Sequence, residues 1–381
     1  MTKHKVYDIT IIGAGINGLC TAFQLIQRGH TNIALVEAKH LGHDWGSSHG
    51  KSRITRSAYA DPVYVYMMQY CHQNSWPTLE RVLGTSLRHP CKGLFYGPSD
   101  GQFQKYQRAM QETGANVQEL SLQQAQKVFP QFRFHTSDGI LQDHTSAVVS
   151  AAETIALLHE YCKKHIDVYE HTPIVDIDTS RDILALHTPT GVVQSEKIVV
   201  TAGPWTYRLF PALRSRLTVV HQNVYYLDIA TPEMGQVGIF PVWVELGMEP
   251  EDMYYGLPEF RRQGIKVAKH NFQGDHDPDV RVSPLEEDTK PFLERFQSRL
   301  HIPIVGVAGW ERCQYTNTHN EDFILAHHPR DTRIVIGAGF SGHGFKFGPM
   351  TGEILADLVL AGGSTVPGFD AKKFAMGVDC T

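Results

Sequence analysis

The sequence predicts an α/β protein, α+β overall, in which a parallel sheet is interleaved with a mixed, largely antiparallel one. Three observations carry this. The chain opens as strand, glycine turn, helix and strand. A second buried strand, glycine turn and helix return near its end. Between them lie β-branched runs suited to antiparallel pairing.

Residues 5–12 are rich in β-branched side chains and short enough for a buried strand. Leu19, Ala22, Phe23 and Ile26 then recur at helical spacing, and Gly29 stands where a helix C-terminus favours glycine. Residues 32–36 form a second apolar strand that ends at Glu37, an alternation that places a crossover helix on a parallel sheet. Residues 63–83 read as helical, with Pro77 expected to kink or divide them. Ser121 and Gln124 make the pattern of a capping box opening a short helix. Residues 148–164 read as a further helix. Residues 174–200 read as three strands with a turn at Thr190-Gly191. Residues 219–227 and 239–246 read as strands of an antiparallel sheet, covered by a helix over 289–300. Residues 333–336 return to a buried strand, before a glycine-rich turn and a helix over 349–360 whose first turn suits Pro349.

The chain has 381 residues, enough for two or three domains at ~150 residues each. It is 42% hydrophobic and 20% charged, which excludes a disordered, collagenous or coiled-coil protein. A formal charge of -5 argues against nucleic acid as a partner. No run approaches the ~20 apolar residues of a membrane span. Six cysteines occur without a CxxC pair, so free thiols in a reducing compartment are expected. The first strand begins within a few residues of Met1, leaving no room for a signal peptide. Val378-Asp379-Cys380-Thr381 is neither a peroxisomal tripeptide nor a prenylation box, and a cytoplasmic protein is expected.

Gly13-Ala14-Gly15-Ile16-Asn17-Gly18 lies between the first strand and the first helix. Gly13 permits the tight turn, Gly15 lets the backbone approach a pyrophosphate, and Gly18 allows close helix–strand packing. The helix N-terminus offers N–H groups and positive dipole to phosphates. Glu37, at the end of the second strand, suits a ribose diol and repels a 2′-phosphate. Strand, helix, second strand and acid all fall in place, so a Rossmann-like dinucleotide site is expected. This motif alone does not separate FAD from NAD.

Four further segments narrow the choice: Ser47-Ser48-His49-Gly50-Lys51-Ser52-Arg53-Ile54-Thr55-Arg56; Thr201-Ala202-Gly203-Pro204-Trp205; Arg312-Cys313-Gln314-Tyr315-Thr316-Asn317-Thr318 with Asp322-Phe323-Ile324; and Gly339-Phe340-Ser341-Gly342-His343-Gly344-Phe345-Lys346-Phe347. In order and spacing they resemble the monomeric sarcosine oxidase family, which includes N-methyltryptophan and pipecolate oxidases, from about residue 5 to residue 360. The resemblance implies an FAD domain of glutathione-reductase type over 1–88, 150–218 and 318–381, with a substrate domain over 89–149 and 219–317. It implies oxidation of the C–N bond of a secondary amino acid, N-methyl or cyclic, with electrons passed to O2 as H2O2. A monomer carrying one FAD is expected.

The resemblance also assigns residues. Cys313 matches the thiol that holds FAD covalently as an 8α-thioether, where a thiolate is the nucleophile. Arg56 and Lys346 match a carboxylate clamp, in which a guanidinium grips with two parallel bonds and an ammonium adds a point charge. His49 and Arg53 match positions beside the flavin ring, where cations stabilise the charge of the reduced cofactor. Lys266 matches a lysine that promotes reaction with O2; His270, Tyr255 and Tyr315 match the substrate pocket. Ser52, Val175, Ala202, Gly203, Gly342, His343 and Gly344 match further cofactor contacts. Lys51 departs from the family's usual Asp, a charge reversal that leaves the polar contacts of its loop open.

Alone, a cysteine is usually a small buried hydrophobe, and Arg53 with Arg56 would read as surface ion pairs. Arg312 is the cation expected to favour the Cys313 thiolate, although adjacent strand residues point to opposite faces. Lys269 reads as solvated. Asp275-His276-Asp277-Pro278-Asp279 and His327-His328 look metal-like, but read as a solvated loop and as structural residues, and no metal is expected. Two other functional readings stand beside the oxidase: a flavin-dependent dehydrogenase serving an electron carrier, and a flavin-binding protein without turnover.

Overall fold

The strand Val6–Ile12 pairs in parallel with Ile33–Val36 on one side and Gly191–Val200 on the other, as expected of apolar strands buried on both faces. The computed structural model describes residues 5–270, 273–281 and 289–377, so Met1, Cys380 and the C-terminal 378–381 lie outside the described residues. Asp167–Tyr169 extends this first sheet beyond Ile33–Val36. On the far side, Gly191–Val200 pairs antiparallel with Leu184–Thr188, which carries Asp176–Asp178. Its last residues, Ile198 to Val200, pair in parallel with Asp331–Ala338, and Ile324–His328 closes that side. The helices Ile16–Gln27 and Gly348–Ala361 cross closely: a Cβ on Gly352 would fall 2.4 Å from the Cys20 main chain.

Among the described residues the second sheet also has eight strands. From its edge they run Ile304–Asn317, Thr218–Ile229, Ile265–Lys269, Tyr254–Leu257, Val242–Glu245, Gly93–Pro98, Asp138–Asp143 and Val117–Glu119. All neighbours are antiparallel except Val242–Glu245 with Gly93–Pro98, so the sheet is mixed. The helix Thr289–Arg299 covers it through Phe292 and Phe296, which lie against Trp243, Tyr225 and Tyr254. A small third sheet pairs Ala147–Ser150 with Ser52–Thr55 and Arg88–Pro90.

Most predicted elements are present, including the three strands within 174–200. The capping box is complete: Ser121 Oγ accepts from the Gln124 N–H at 3.3 Å, and Gln124 Oε1 accepts from the Ser121 N–H at 2.8 Å. Two expectations are corrected. The helix expected over 148–164 begins at Ala151, because the β-branched pair Val148 and Val149 is used as buried strand against Ile54 and Arg53. The strand expected over 239–246 is confined to Val242–Glu245. The helix over 63–83 is divided, one of the two outcomes expected of Pro77, with the break just ahead of the proline. Helix Pro62–Tyr70, capped by Asp61, runs into a π-helical turn, Cys71–Ser75, and then into helix Trp76–Leu83. Pro77 sits in the first turn of that last segment, where a missing N–H is tolerated.

Candidate active site

A cavity of about 1800 Å³ lies at the carboxyl ends of the parallel strands Val6–Ile12, Ile33–Val36, Gly191–Val200 and Asp331–Ala338, and is walled opposite by side chains of the second sheet. Open α/β sheets bind their ligands at these strand ends. Single-ligand pockets commonly run roughly 300–1,000 Å³, so this one has room for a dinucleotide and a small substrate together.

One end is built from main chain. Gly13 has φ +101°, and a Cβ there would fall 2.5 Å from the Thr201 carbonyl oxygen. Gly15 meets only Ser48 Oγ at 3.1 Å, and that hydroxyl accepts from the Ile16 N–H at 3.0 Å. Gly18 does not line the cavity. Its α-hydrogens pack against Gly13, where a Cβ would come within 1.9 Å of the carbonyl oxygen, so its role is the predicted helix–strand contact. Glu37 accepts from the N–H groups of Ala14 and Lys39, both at 2.9 Å. Burial pushes its carboxyl up, but hydrogen bonds from His43, Ala14 and Lys39 outweigh this and hold it below the usual range. Val175, Ala202 and Gly203 line this end too.

The middle is cationic. Lys266, buried, donates to the Ser52 carbonyl at 3.0 Å; burial and the nearby Arg53 push its ammonium down to about 7. Arg53 donates to the carbonyls of Ser52, Ser47 and His49 at 2.9, 2.8 and 2.5 Å. His49 is pushed down to about 4 by burial and Arg53, so it is neutral, and its Nε2 has no partner among the described residues. The half-buried Cys313 thiol is pushed up by desolvation and by Glu311, while Arg53 and Lys266 pull it down. Those two are the cations that favour its thiolate. Arg312, expected in that role, turns to Asn223 Oδ1 at 3.0 Å because it sits on the other face of the strand. Glu311 was not singled out from the sequence. It stands two residues before Cys313, on the same face, and accepts from Tyr226 Oη at 2.8 Å and from Arg262.

The third region gathers Arg56, Lys346, Tyr255, His270, Tyr315 and the turn from Gly342 to Gly344. Arg56 is buried with its guanidinium 4.0 Å from the Tyr59 ring centroid and 5.9 Å from that of Tyr106. Its Nη1 has no hydrogen-bond partner, and no carboxylate pairs with it among the described residues. Asp143 acts on it only at longer range, with its oxygens taken by the N–H groups of Ser57, Ala58 and Thr145. Lys346 is buried too; burial, then Arg56 and Arg53, hold its ammonium well below the ordinary range. Its Nζ donates to the His343 carbonyl at 3.0 Å. Tyr255 and Tyr315 hydroxyls meet at 2.9 Å, and His270 Nε2 lies 2.9 Å from Glu321 Oε1. Gly342, at φ +73°, admits the Tyr315 ring, which a Cβ would meet at 2.3 Å. His343, half-buried and pushed well below its ordinary range by desolvation, contacts the Glu321 carbonyl at 3.1 Å. Tyr59, Tyr106 and Glu321 had no motif to announce them.

The metal-like runs do other work. Asp275 pairs with Arg214, and Asp277 and Asp279 pair with Arg208. His327 Nδ1 contacts the Thr332 carbonyl at 2.8 Å. No cluster suited to a metal ion occurs among the described residues, and no described helix is long and apolar enough to cross a membrane. Lys269 is half-buried near the Tyr254 ring rather than solvated.

Fold and site together define a dinucleotide-binding protein whose cofactor cavity continues into a cationic, aromatic-walled pocket. Residues 8–358 match the family of FAD-dependent oxidoreductases, and the chain belongs to it. It is 35% identical to the peroxisomal sarcosine oxidase of Mus musculus, covering 97% of this chain and 95% of the relative. It is 29% identical to the monomeric sarcosine oxidase of Bacillus sp. (strain B-0618), covering 95% and 94%. Among solved structures, NikD, an unusual amino acid oxidase essential for nikkomycin biosynthesis, shares the fold with a TM-score of 0.80 at 20% identity, covering 97% of each chain. The residues fit FAD. The Gly13 turn leaves no space for a side chain, Glu37 keeps lone pairs for a diol, and buried His49 Nε2, Gln314 Oε1 and Thr316 Oγ1 line the cavity without partners among the described residues.

Proposed function

We propose that this protein oxidises the C–N bond of a secondary amino acid, N-methyl or cyclic. The products are an imine, hydrolysed to aldehyde and amine when acyclic, and H2O2. One observation carries this reading: the Arg56 guanidinium and the Lys346 amine are buried in one pocket, and neither has a carboxylate partner among the described residues. Burying a charge unpaired is costly, and an α-carboxylate is the anion that relieves both. The relatives named sarcosine oxidase support the substrate class.

FAD, when bound, supplies the two-electron acceptor. Gly13, Gly15, Glu37, Val175, Ala202 and Gly203 hold its nucleotide, and Ser52, Gly342, His343 and Gly344 its other end. Cys313 is the proposed covalent anchor, supported by its place beside Arg53 and Lys266. Arg56 grips the substrate carboxylate and Lys346 adds a point charge, so binding energy goes into orientation. The same positive charge and the burial disfavour protonation of the substrate amine, leaving its lone pair available. The Tyr255–Tyr315 hydroxyl pair and His270, held by Glu321, complete the pocket wall. Neutral His49 and charged Arg53 stand beside Lys266, which places a mobile proton where O2 is reduced.

The cofactor part spans 1–88, 150–218 and 318–381 and the substrate part 89–149 and 219–317, supported by the strands that build each large sheet. We read the protein as one of a reducing compartment, the cytoplasm, because Cys20, Cys71, Cys91, Cys162 and Cys313 are unpaired thiols, and as a monomer, which the relative named monomeric sarcosine oxidase supports. Acid precipitation tests the core of the reading. Yellow colour should follow the pellet, and N-methyl and cyclic amino acids should yield H2O2 stoichiometrically. A colourless protein would overturn it.

A further inference from the structure

Arg56 and Lys346 come from opposite ends of the chain, so only tertiary contacts set their spacing. One short segment touches the main chain of Lys346 and the residues on either side of Arg56: the π-helical turn Cys71–Ser75 and Trp76 after it. Trp76, fully buried, donates its indole N–H to the Lys346 carbonyl at 2.8 Å, and Cys71 Sγ reaches the same oxygen at 3.5 Å. His72 reaches the neighbours of the other cation. Its Nε2 lies 2.6 Å from Thr55 Oγ1 and its Nδ1 3.4 Å from Ser57 Oγ, on the residues that flank Arg56. Ser57 is held further by Thr145, whose hydroxyl donates to Ser57 Oγ at 2.8 Å.

The π turn is what makes this possible. At 3.6 residues per turn, side chains five apart diverge by about 140° around an α-helix. The i→i+5 pattern of a π turn brings them to one face, and here the Trp76 N–H bonds the Cys71 carbonyl in that way. Cys71 and Trp76 therefore converge on one oxygen, while His72, next along the turn, faces Thr55 and Ser57 on either side of Arg56. Burial pushes His72 down to about 4, so its ring is neutral, with one donor and one acceptor, and adds no third cation.

We propose that this turn, through Trp76 and His72, is the positioning element of the carboxylate site, setting where Arg56 and Lys346 stand relative to each other. The inference rests on the reading of that pair as the carboxylate site. Packing alone does not require four polar contacts to converge on the main chain of one cation and the neighbours of the other.

The test compares propionate with propionamide on the FAD-loaded protein, with Kd read from the change in visible absorbance and Tm measured alongside. Trp76→Phe keeps an aromatic ring but removes the N–H; Thr55→Val keeps the shape but removes the hydroxyl. Each should weaken propionate by roughly three- to tenfold, the worth of one hydrogen bond. Propionamide should be unchanged, and Thr55→Ser should restore the wild-type ratio. Variants that lose Tm but keep that ratio overturn the inference. Arg56→Gln is the reference. If it collapses the ratio while the other variants retain it, the positioning inference alone fails. If it leaves the ratio unchanged, the carboxylate reading fails and takes this inference with it.

Discussion

Lys266 donates its ammonium to the main-chain carbonyl of Ser52 at 3.0 Å, tying a central strand of the second sheet to the segment that carries His49, Arg53 and Arg56. Burial and Arg53 lower its pKa from 10.5 to about 7. Between those values the unfolded chain holds a proton that the folded chain has released, so this group makes stability rise with pH across that window. Lys266→Met should therefore raise Tm below about pH 7, with the gain fading as pH climbs toward 10.5. In the wild type, kcat/KM for O2 should fall as pH passes about 7, and the variant should lose that dependence. A profile identical in both would remove Lys266 from the reaction with O2.

Arg56→Ala should raise KM for a carboxylated substrate by roughly 30-fold or more, since removing one member of a buried charge pair commonly costs ~2 kcal/mol or more. Steady-state kinetics on the acid and its carboxamide separate this from general damage, because the carboxamide should respond little. An unchanged KM for the acid would sink the clamp.

Cys313→Ala should fold and bind FAD through the glycine turn and Glu37, but release it on acid precipitation. Colour retained in the pellet would show that the anchor lies elsewhere.

Gly18→Ala puts a Cβ 1.9 Å from the Gly13 carbonyl oxygen, a clash of backbone with no flexible side chain to yield. The variant should purify without visible absorbance or fail to fold. Wild-type flavin content would contradict the packing described.

The acidic run from Asp275 to Asp279 is satisfied by Arg208 and Arg214 at the surface. Exhaustive dialysis against EDTA should leave flavin content and H2O2 production unchanged. A loss restored by a divalent cation would mark a metal site there.

Much of the nucleotide end was legible in the sequence because its chemistry is local. Gly13, Gly15 and Gly18 stand within one turn, Glu37 ends the next strand, and alternating strand and helix follow from side-chain periodicity alone. The segments around Arg56, Cys313 and Lys346 were legible by resemblance, as separate pieces. Their meeting was not. Arg312 looked like the cation for Cys313 because it is adjacent, yet a pleated strand turns neighbours to opposite faces, and the fold supplies Arg53 and Lys266 instead. The helix boundary at Ala151 was misplaced because Val148 and Val149 fit either period until Ile54 and Arg53 pair with them. Glu311, Glu321, Tyr59 and the π turn at Cys71 carried no local signature. A sequence determines which groups can bind phosphate, carboxylate or flavin. Only the packed fold decides which buried cations lack a counter-charge, since desolvation and charge pairing depend on distances between segments that the chain itself leaves far apart.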